Sequence, residues 1–136
     1  MKPYIHKVHY YETDKMSITH HSNYIRWMEE ARIDFLKNIG WGYEEIEAMG
    51  IISPVTAVEC KYKNITTFAD EVYIDVWVSE FKGVKLKIGY EMKKQDGTVV
   101  CEAASEHCFL DKSGKIISLK RTYPQIYDAL VQYIKE

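Results

Sequence analysis

The hydrophobic period of this chain changes once, from the spacing of a helix to the alternation of strands. In residues 23–38 the apolar positions recur at steps of three and four, which is the period of one helix face. These positions are Ile25, Met28, Ala31, Phe35, Leu36 and, just beyond the range, Ile39. From Pro54 onward the period is two. The sequence therefore predicts one long, largely buried helix followed by several strands.

Residues at both ends of this segment support the helix. Ser22 or Asn23 is a suitable N-cap, because a short polar side chain can accept a hydrogen bond from a backbone N–H of the first turn. Gly40 falls where a left-handed residue commonly ends a helix. Residues 43–49, closed by Gly50, predict one short additional helix.

Five segments are predicted to form strands. The opening strand covers residues 2 to about 12, and the later ones are rich in β-branched and aromatic residues. The later segments are 58–62, 72–78, 84–92 and 99–110. Asp96-Gly97 is the clearest turn, because Asp-Gly readily adopts the positive φ values of a tight hairpin. We expect these strands to pair in an antiparallel sheet.

A closing helix is predicted near the C-terminus. Residues 122–125, Thr-Tyr-Pro-Gln, have the pattern of a capping box with an early proline. The apolar residues that follow share one helix face: Ile126, Leu130, Val131 and Ile134. We expect this helix to pack back on the domain.

The order of these elements predicts an α+β fold. A five-stranded antiparallel sheet wrapped around one long central helix, with a C-terminal helix, buries the helix stripe against one sheet face. The 136 residues form one domain in this interpretation, since no Pro-, Gly- or Ser-rich linker divides them. Trp77 beside Val76 and Val78 places apolar side chains on both faces of a strand. We therefore expect a second subunit to cover the remaining surface, in a dimer or a larger assembly.

Composition excludes several classes of protein. A net charge of −2 and dispersed lysines give no basis for nucleic-acid binding. The opening residues lack the apolar run of a signal peptide, and no stretch of roughly 18 apolar residues could span a membrane. We expect a soluble, cytoplasmic protein. Cys60, Cys101 and Cys108 are widely spaced in strand-like runs, as small core residues are, and fit neither a disulfide scaffold nor a zinc motif.

The segment ahead of the long helix contains the candidate chemistry. Asp14, His20 and His21 precede the helix start, where backbone N–H groups lack intrahelical partners and carry the positive end of the helix dipole. An oxygen that gains negative charge would be stabilised there. Asp14 is then a candidate base or nucleophile beside an oxyanion hole, which favours acyl transfer or hydrolysis. The alternative is that Asp14 is a turn residue bonded to its own backbone.

These residues resemble a known family. Glu12-Thr13-Asp14 with Met16, His20-His21, Asn23-Tyr24, Glu29 with Arg32, then Tyr62 and Asp70-Glu71 are similar to the hot-dog-fold acyl-CoA thioesterases of the 4-hydroxybenzoyl-CoA thioesterase class. The resemblance implies that Asp14 is catalytic and that the backbone N–H near His21 polarises the thioester carbonyl. Ser17 stands where the family usually has Gly, and Ile65 where it usually has Pro.

Four neighbouring residues are expected to contact the substrate: Thr13, Met16, His20 and Tyr24. His20 could equally be exposed, and for Tyr24 the role of a core aromatic is slightly preferred. Glu29 and Arg32, three residues apart on the helix, suggest an ion pair. We expect no metal at the paired histidines, since no Cys, Asp or Glu stands beside them at ligand spacing, and no cofactor. His107 is expected to be a strand histidine.

The lysine pairs 61/63 and 85/87 each predict one solvated sheet face, although coenzyme A phosphates could bind such side chains. The resemblance implies an enzyme that hydrolyses an acyl-CoA to free acid and coenzyme A, as a homo-oligomer with active sites at subunit interfaces. Alternatives are an acyl-carrier-protein thioesterase and a non-catalytic acyl-CoA-binding dimer. A hot-dog dehydratase fits the Glu-Thr-Asp loop less well. The sequence leaves open the acyl group, the dimer or tetramer, and whether Asp14 is nucleophile or base.

Overall fold

The computed structural model describes residues 1–135, which contain five strands and four helices. In chain order these are β1 (Tyr4–Lys7), α1 (Ser22–Asn38), α2 (Tyr43–Ala48), β2 (Val55–Tyr62), β3 (Glu71–Phe81), β4 (Leu86–Lys94), β5 (Val99–His107), α3 (Leu119–Thr122) and α4 (Pro124–Val131). A 3₁₀ turn at Tyr10–Glu12 follows β1. The predicted order of a strand, a long helix, four strands and a closing helix is confirmed.

The sheet places the first two strands at opposite edges. Its order is β1-β3-β4-β5-β2, and every neighbouring pair is antiparallel. Because β1 and β2 are consecutive strands, the segment between them must cross the whole width of the sheet. Helices α1 and α2 make this crossing. The loop that enters α1 therefore follows the β1 edge of the sheet. After α2 the chain continues into β2 at the opposite edge.

The core lies between α1 and one face of the sheet. On the helix, Trp27, Ala31 and Phe35 are at most 1% exposed. They pack in one cluster with fully buried sheet residues such as Ile74 and Ile88. Burying a large apolar side chain completely contributes roughly 1.5–3 kcal/mol. The hot-dog fold class that the sequence predicted, a five-stranded sheet around one buried helix, is confirmed.

Two boundaries differ from the prediction at the ends of the chain. The opening strand ends at Lys7, because the chain turns away into the 3₁₀ turn at Tyr10–Glu12. At the other end the Thr122 hydroxyl donates to the Ser118 carbonyl (2.7 Å) and does not cap α4, so the predicted capping box is wrong. Ile134 lies beyond α4 and bridges to Val78 in the sheet.

Trp77 on the outer face is covered by its own chain. Its indole lies over Gly89, where an added Cβ would come within 2.5 Å of the ring, and the Lys135 ammonium sits 4.4 Å from the ring centre. Trp77 is therefore not an open apolar surface that requires a second subunit. No helix in the part of the chain that the structure describes has both the length and the apolar character needed to cross a bilayer.

A chain of buried polar groups connects β4 and β5. The Tyr90 hydroxyl lies 2.8 Å from Ser105 Oγ, which lies 2.7 Å from His107 Nε2. His107 is 1% exposed, and its Nδ1 has no partner within residues 1–135. Burial and the nearby Arg32 charge lower the pKa of His107 to about 3. His107 is thus a neutral strand histidine, as the sequence indicated.

His107 makes stability depend on pH. Unfolded histidine binds a proton near pH 6.5 whereas the native His107 does not until about pH 3, so falling pH favours the unfolded chain throughout this window. The loss is about 1.4 kcal/mol per pH unit, or about 2 kcal/mol by pH 5. We expect His107→Gln to flatten the fall between pH 7 and pH 5 in urea unfolding. An unchanged slope in His107→Gln would contradict this account.

Candidate active site

The loop between the 3₁₀ turn and α1 folds back on itself. The Asp14 N–H donates to the Ile18 carbonyl (2.8 Å), and the Ser17 N–H donates to the Asp14 carbonyl (2.9 Å). Thr13 and Thr19 form an antiparallel bridge that closes the loop. Ser17 has a φ of 65°, in the left-handed region that favours glycine. Ser17 stands where the resembling family usually has Gly, and the loop has a positive φ at this position. The serine therefore adopts a strained backbone conformation.

Asp14 is both a turn residue and a candidate functional group. Its Oδ1 accepts the Met16 N–H (2.8 Å), which is the two-residue turn bond considered from the sequence. Oδ2 has no hydrogen-bond partner within the described residues. The side chain is half-buried at the wall of a cleft. One carboxylate oxygen holds the turn and the other remains free to react.

The start of α1 leaves one backbone donor free. The Asn23 N–H donates to the His20 carbonyl (3.0 Å) and the Tyr24 N–H to the His21 carbonyl (3.3 Å). The Ser22 N–H reaches His20 Nδ1 (3.3 Å). Among residues 1–135 the His21 N–H finds no partner. This N–H is therefore available to an oxygen outside the protein.

The predicted N-caps are not caps. His21 occupies the capping position of α1, and its own side chain accepts no hydrogen bond from the first turn. The Asn23 side chain instead points back into the protein, where its Nδ2 donates to the carbonyls of Glu12 (3.0 Å) and His20 (3.1 Å). The Asn23 side chain thus bonds the loop ahead of the helix and does not cap α1.

A cleft of about 300 Å³ lies in front of these groups. Its lining consists of Asp14, Met16, Ile18, Thr19, His21, Tyr24, Tyr62, Lys63, Asn64 and Ile65. Four of the six residues expected at the site therefore meet at one surface: Asp14, Met16, His21 and Tyr24. Asp14 and His21 thus line the same cleft, and among residues 1–135 neither Asp14 Oδ2 nor the His21 N–H has a hydrogen-bond partner. A carboxylate and a backbone donor are the groups that hydrolysis of an acyl group uses.

The other two expected residues lie outside the lining of the cleft. Thr13 donates its hydroxyl to the Tyr10 carbonyl (2.7 Å), which stabilises the loop. His20 is exposed, its ring stacks on that of His21 (centres 4.3 Å apart), and its Nδ1 lies 2.9 Å from Ser22 Oγ. In this structure both residues order the loop and the helix start.

Tyr24 proves to be a core aromatic with one face on the cleft. It is 4% exposed and its hydroxyl lies 3.0 Å from Thr66 Oγ1, which is itself fully buried. The Tyr62 ring meets it edge-on at 5.2 Å, and the Tyr62 hydroxyl donates weakly to the His21 carbonyl (3.4 Å). Burial and the neighbouring Cys60 raise the pKa of Tyr62 to about 12, so it stays a neutral hydroxyl at physiological pH.

The segment after β2 supplies residues that sequence reasoning did not assign to the site. Lys63, Asn64 and Ile65 line the cleft, although they lie about fifty residues from Asp14. Tyr62 and Ile65 had a signal in the family resemblance, but Asn64 had none. Lys63 follows the end of β2 and so does not share a strand face with Lys61 as expected. Only the sheet order brings this segment to the loop.

One group of side chains has the spacing of a metal-ligand set. Potential ligand atoms of His6, His9 and Glu12 lie within 4.8 Å of one another. Protein groups already use these atoms, since His6 Nε2 lies 2.8 Å from Glu12 Oε1 and the Trp27 Nε1 donates to Glu12 Oε2 (2.7 Å). A metal ion would have to displace both contacts. The arrangement favours a structural role for this carboxylate.

The Glu29–Arg32 pair, Lys61 and Lys87 are not part of the cleft lining. Arg32 donates to both carboxylate oxygens of Glu29 (3.0 and 3.1 Å), which is the helix ion pair that the spacing indicated. Lys61 lies 3.7 Å from Glu59, and Lys87 lies 3.5 Å from two glutamates. These are surface ion pairs.

Comparison with known proteins places the chain in a family. The model of the thioesterase-like superfamily matches residues 8–129. YneP of Bacillus subtilis (strain 168), provisionally named an acyl-CoA thioesterase, is 32% identical over 124 residues, which are 90% of each chain. The chain therefore belongs to the thioesterase-like superfamily. It is a thioester hydrolase with a hot-dog fold.

Solved structures agree with this assignment. A DHNA-CoA thioesterase from Staphylococcus aureus is 30% identical, with a TM-score of 0.91 over 96% of this chain and 89% of that chain. A protein from Thermus thermophilus is 27% identical, with a TM-score of 0.90 over 98% and 99% of the two chains. A gentisyl-coenzyme A thioesterase, at 24% identity and a TM-score of 0.80, shares the fold over 92% and 98% of the two chains.

The strain at Ser17 leads to a test. A non-glycine residue at positive φ costs about 1–2 kcal/mol, more than the roughly 0.5–1 kcal/mol of extra chain entropy that glycine loses on folding. We expect Ser17→Gly to stabilise the protein by up to about 1 kcal/mol in urea unfolding. Ser113→Gly, in a loop where the serine has no positive φ, should destabilise it. A less stable Ser17→Gly variant would contradict the loop geometry.

Proposed function

We propose that this thioester hydrolase cleaves an acyl-CoA to free acid and coenzyme A at the Asp14 cleft. The observation that carries the proposal is that Asp14 and His21 line one cleft, while Asp14 Oδ2 and the His21 N–H have no partner within residues 1–135. The carbonyl oxygen of the thioester would accept the His21 N–H. The carboxylate of Asp14 would then face the carbonyl carbon, either directly or through one water molecule.

Two reaction courses fit these groups. In one, Asp14 takes a proton from a water molecule, whose oxygen attacks the carbonyl carbon. In the other, the carboxylate attacks, forms a mixed anhydride and releases coenzyme A, and water then hydrolyses the anhydride. In both, the C–S bond breaks with its electron pair on sulfur. Because a thiol has a pKa near 8.5, the thiolate leaves with little help from an acid.

The larger demand is the negative charge on the former carbonyl oxygen. One well-placed donor at such an oxygen lowers the barrier by roughly 3–4 kcal/mol. The His21 N–H is suited to this because it stands at the positive end of a 17-residue helix. The backbone donor also needs no rearrangement during the reaction, since the bonds of His20 and Asn23 fix the helix start.

The lining of the cleft suggests where the two halves of the substrate bind. Tyr62 presents aromatic surface at the cleft, with the buried Tyr24 ring behind it, which suits an aromatic or unsaturated acyl group. The similarity to a DHNA-CoA thioesterase supports testing aromatic substrates alongside aliphatic ones. Lys63 stands at the cleft, where its ammonium could meet a phosphate of coenzyme A. A carrier-protein substrate would bring the same thioester to Asp14, so both carriers need comparison.

The edge strand β2 supports a homo-oligomer. Seven of its eight residues are exposed, Val58 and Tyr62 among them at 41% and 48%. An exposed edge strand with unpaired backbone groups is a ready pairing surface. On α1, Ile25 and Ile33 are also exposed, at 41% and 45%. A second copy of the chain would cover these surfaces, and because Tyr62 lines the cleft, such a partner would border the active site.

The charge of Asp14 can be tested without disturbing its turn. Asparagine retains the oxygen that accepts the Met16 N–H, so Asp14→Asn should fold normally but lose at least about 100-fold in kcat. Thiol release from aliphatic and aromatic acyl-CoA esters is the measurement. Asp96→Asn is the matched control, because Asp96 Oδ1 accepts the Thr98 N–H in the same kind of turn away from the cleft.

Each outcome decides between the candidate functions. Equal thiol release by wild type and Asp14→Asn across the panel would overturn the proposed role of Asp14. Faster turnover of acylated carrier protein than of acyl-CoA would establish the carrier-protein substrate instead. Tight binding of acyl-CoA without turnover would establish a binding protein.

Lys63 provides a test of the coenzyme A site. We expect Lys63→Ala to raise KM about fivefold at low salt with little change in kcat, because an exposed charge contact contributes roughly 1 kcal/mol. The difference should shrink as salt screens the charges. Lys61→Ala removes a neighbouring lysine that pairs with Glu59 and should leave KM unchanged. Equal KM values for both variants and wild type would place the phosphates elsewhere.

A further inference from the structure

Glu12 is the most heavily bonded side chain near the candidate site. It lies two residues before Asp14 and is 5% exposed. Three donors converge on its carboxylate: His6 Nε2 (2.8 Å), the His9 N–H (2.8 Å) and the Trp27 Nε1 (2.7 Å). Neither the proposed reaction nor the hydrophobic core accounts for a buried carboxylate at this position. Its bonds must therefore be explained by what they hold in place.

The three donors belong to three different parts of the fold. His6 is in β1, His9 precedes the 3₁₀ turn, and Trp27 is fully buried in α1. The carboxylate of Glu12 therefore joins the first strand and the central helix directly to the start of the Asp14 loop. A carboxylate is suited to this position because it accepts hydrogen bonds at both oxygens and donates none.

The backbone of Glu12 fixes the other end of the same loop. Its carbonyl accepts the His20 N–H (2.8 Å) and the Asn23 Nδ2 (3.0 Å). One residue thus holds the chain immediately before Asp14 and immediately before His21. Together with the Thr13–Thr19 bridge, Glu12 therefore fixes the relative position of the two candidate reacting groups.

The carboxylate remains ionised in its buried position. Burial alone would raise the pKa of Glu12, but hydrogen bonds from His9, His6 and Trp27 outweigh it and the pKa is lowered. Hydrogen bonds to a charged acceptor are shorter and stronger than those between neutral groups. On its second ring nitrogen, His6 also faces Glu30 (3.4 Å), whose side chain is 43% exposed.

We propose that Glu12 is a positioning residue that sets the Asp14 carboxylate and the His21 N–H at the separation the reaction needs. This inference rests on the proposed function of the cleft. Glu12 itself touches no substrate, since it is buried behind the loop and is not part of the cleft lining. Its effect should therefore appear in the chemical step and not in the binding of coenzyme A.

The test is a double-mutant cycle between Glu12 and Asp14. Glutamine has the shape of glutamate, but its NH₂ group is a donor and would face the donors His6, His9 or Trp27. We expect Glu12→Gln to lower kcat about 10- to 100-fold, with KM within threefold of wild type, because small displacements of reacting groups are costly. Glu30→Gln is the matched control, since it removes the other carboxylate beside His6 and should change kcat less than twofold.

The Asp14→Asn background separates positioning from a general loss of structure. The separation of the two groups matters only while both of them act, so adding Glu12→Gln to Asp14→Asn should lower the residual rate less than threefold. Multiplicative losses in the double variant, or a rise in KM as large as the fall in kcat, would overturn the inference. If the Asp14→Asn variant is as active as the wild type, the proposed function is overturned instead. The two failures are therefore distinguishable.

A second variant covers the case in which Glu12→Gln does not fold. Trp27→Phe keeps an aromatic ring in the core and removes the indole donor to Glu12, at the cost of some core volume. We expect a smaller loss, about three- to tenfold in kcat, and again little further effect in the Asp14→Asn background. Wild-type kcat in a folded Trp27→Phe variant would count against positioning by this carboxylate.

Discussion

The burial of α1 across the sheet is the constraint on which the rest of this structure depends. Because β1 and β2 lie at opposite edges, the chain between them has to cross the sheet. It does so mainly as α1, and the helix face with Trp27 and Phe35 is buried. This burial fixes the position of the helix start. An unpaired N–H at a mobile helix end would be of little use for catalysis, whereas one on a packed helix is held in place.

The candidate site follows from that fixed helix start and from a loop tied to it. Within the part of the chain that the structure describes, the His21 N–H and one Asp14 carboxylate oxygen have no hydrogen-bond partner. The buried Glu12 connects the two regions through both its carboxylate and its carbonyl. The same hydrogen bonds thus stabilise the fold and position the proposed reacting groups. Both the free energy of unfolding and the activity should therefore be measured for variants in this loop.

Local sequence patterns predicted some features well and failed at others for a consistent reason. The spacing of apolar residues located α1, and Asp14 showed the two-residue turn bond that aspartate favours in loops. The N-cap predicted at Asn23 and the capping box at Thr122 were wrong, because partners distant in sequence or one turn back satisfied these side chains. Polar side chains take the acceptor that the fold presents, which a local pattern does not contain.

By itself the sequence determined the order of elements, the single buried helix and the placement of Asp14 and His21 just before it, because hydrophobic period and helix polarity are properties of neighbouring residues. Only the tertiary structure decided that Lys63, Asn64 and Ile65 complete the cleft and that Glu12 is a buried anchor. The lining of the cleft depends on which strands become neighbours, and the role of Glu12 depends on which donors converge on it. Both are contacts between distant segments, which exist only in the folded sheet and helix.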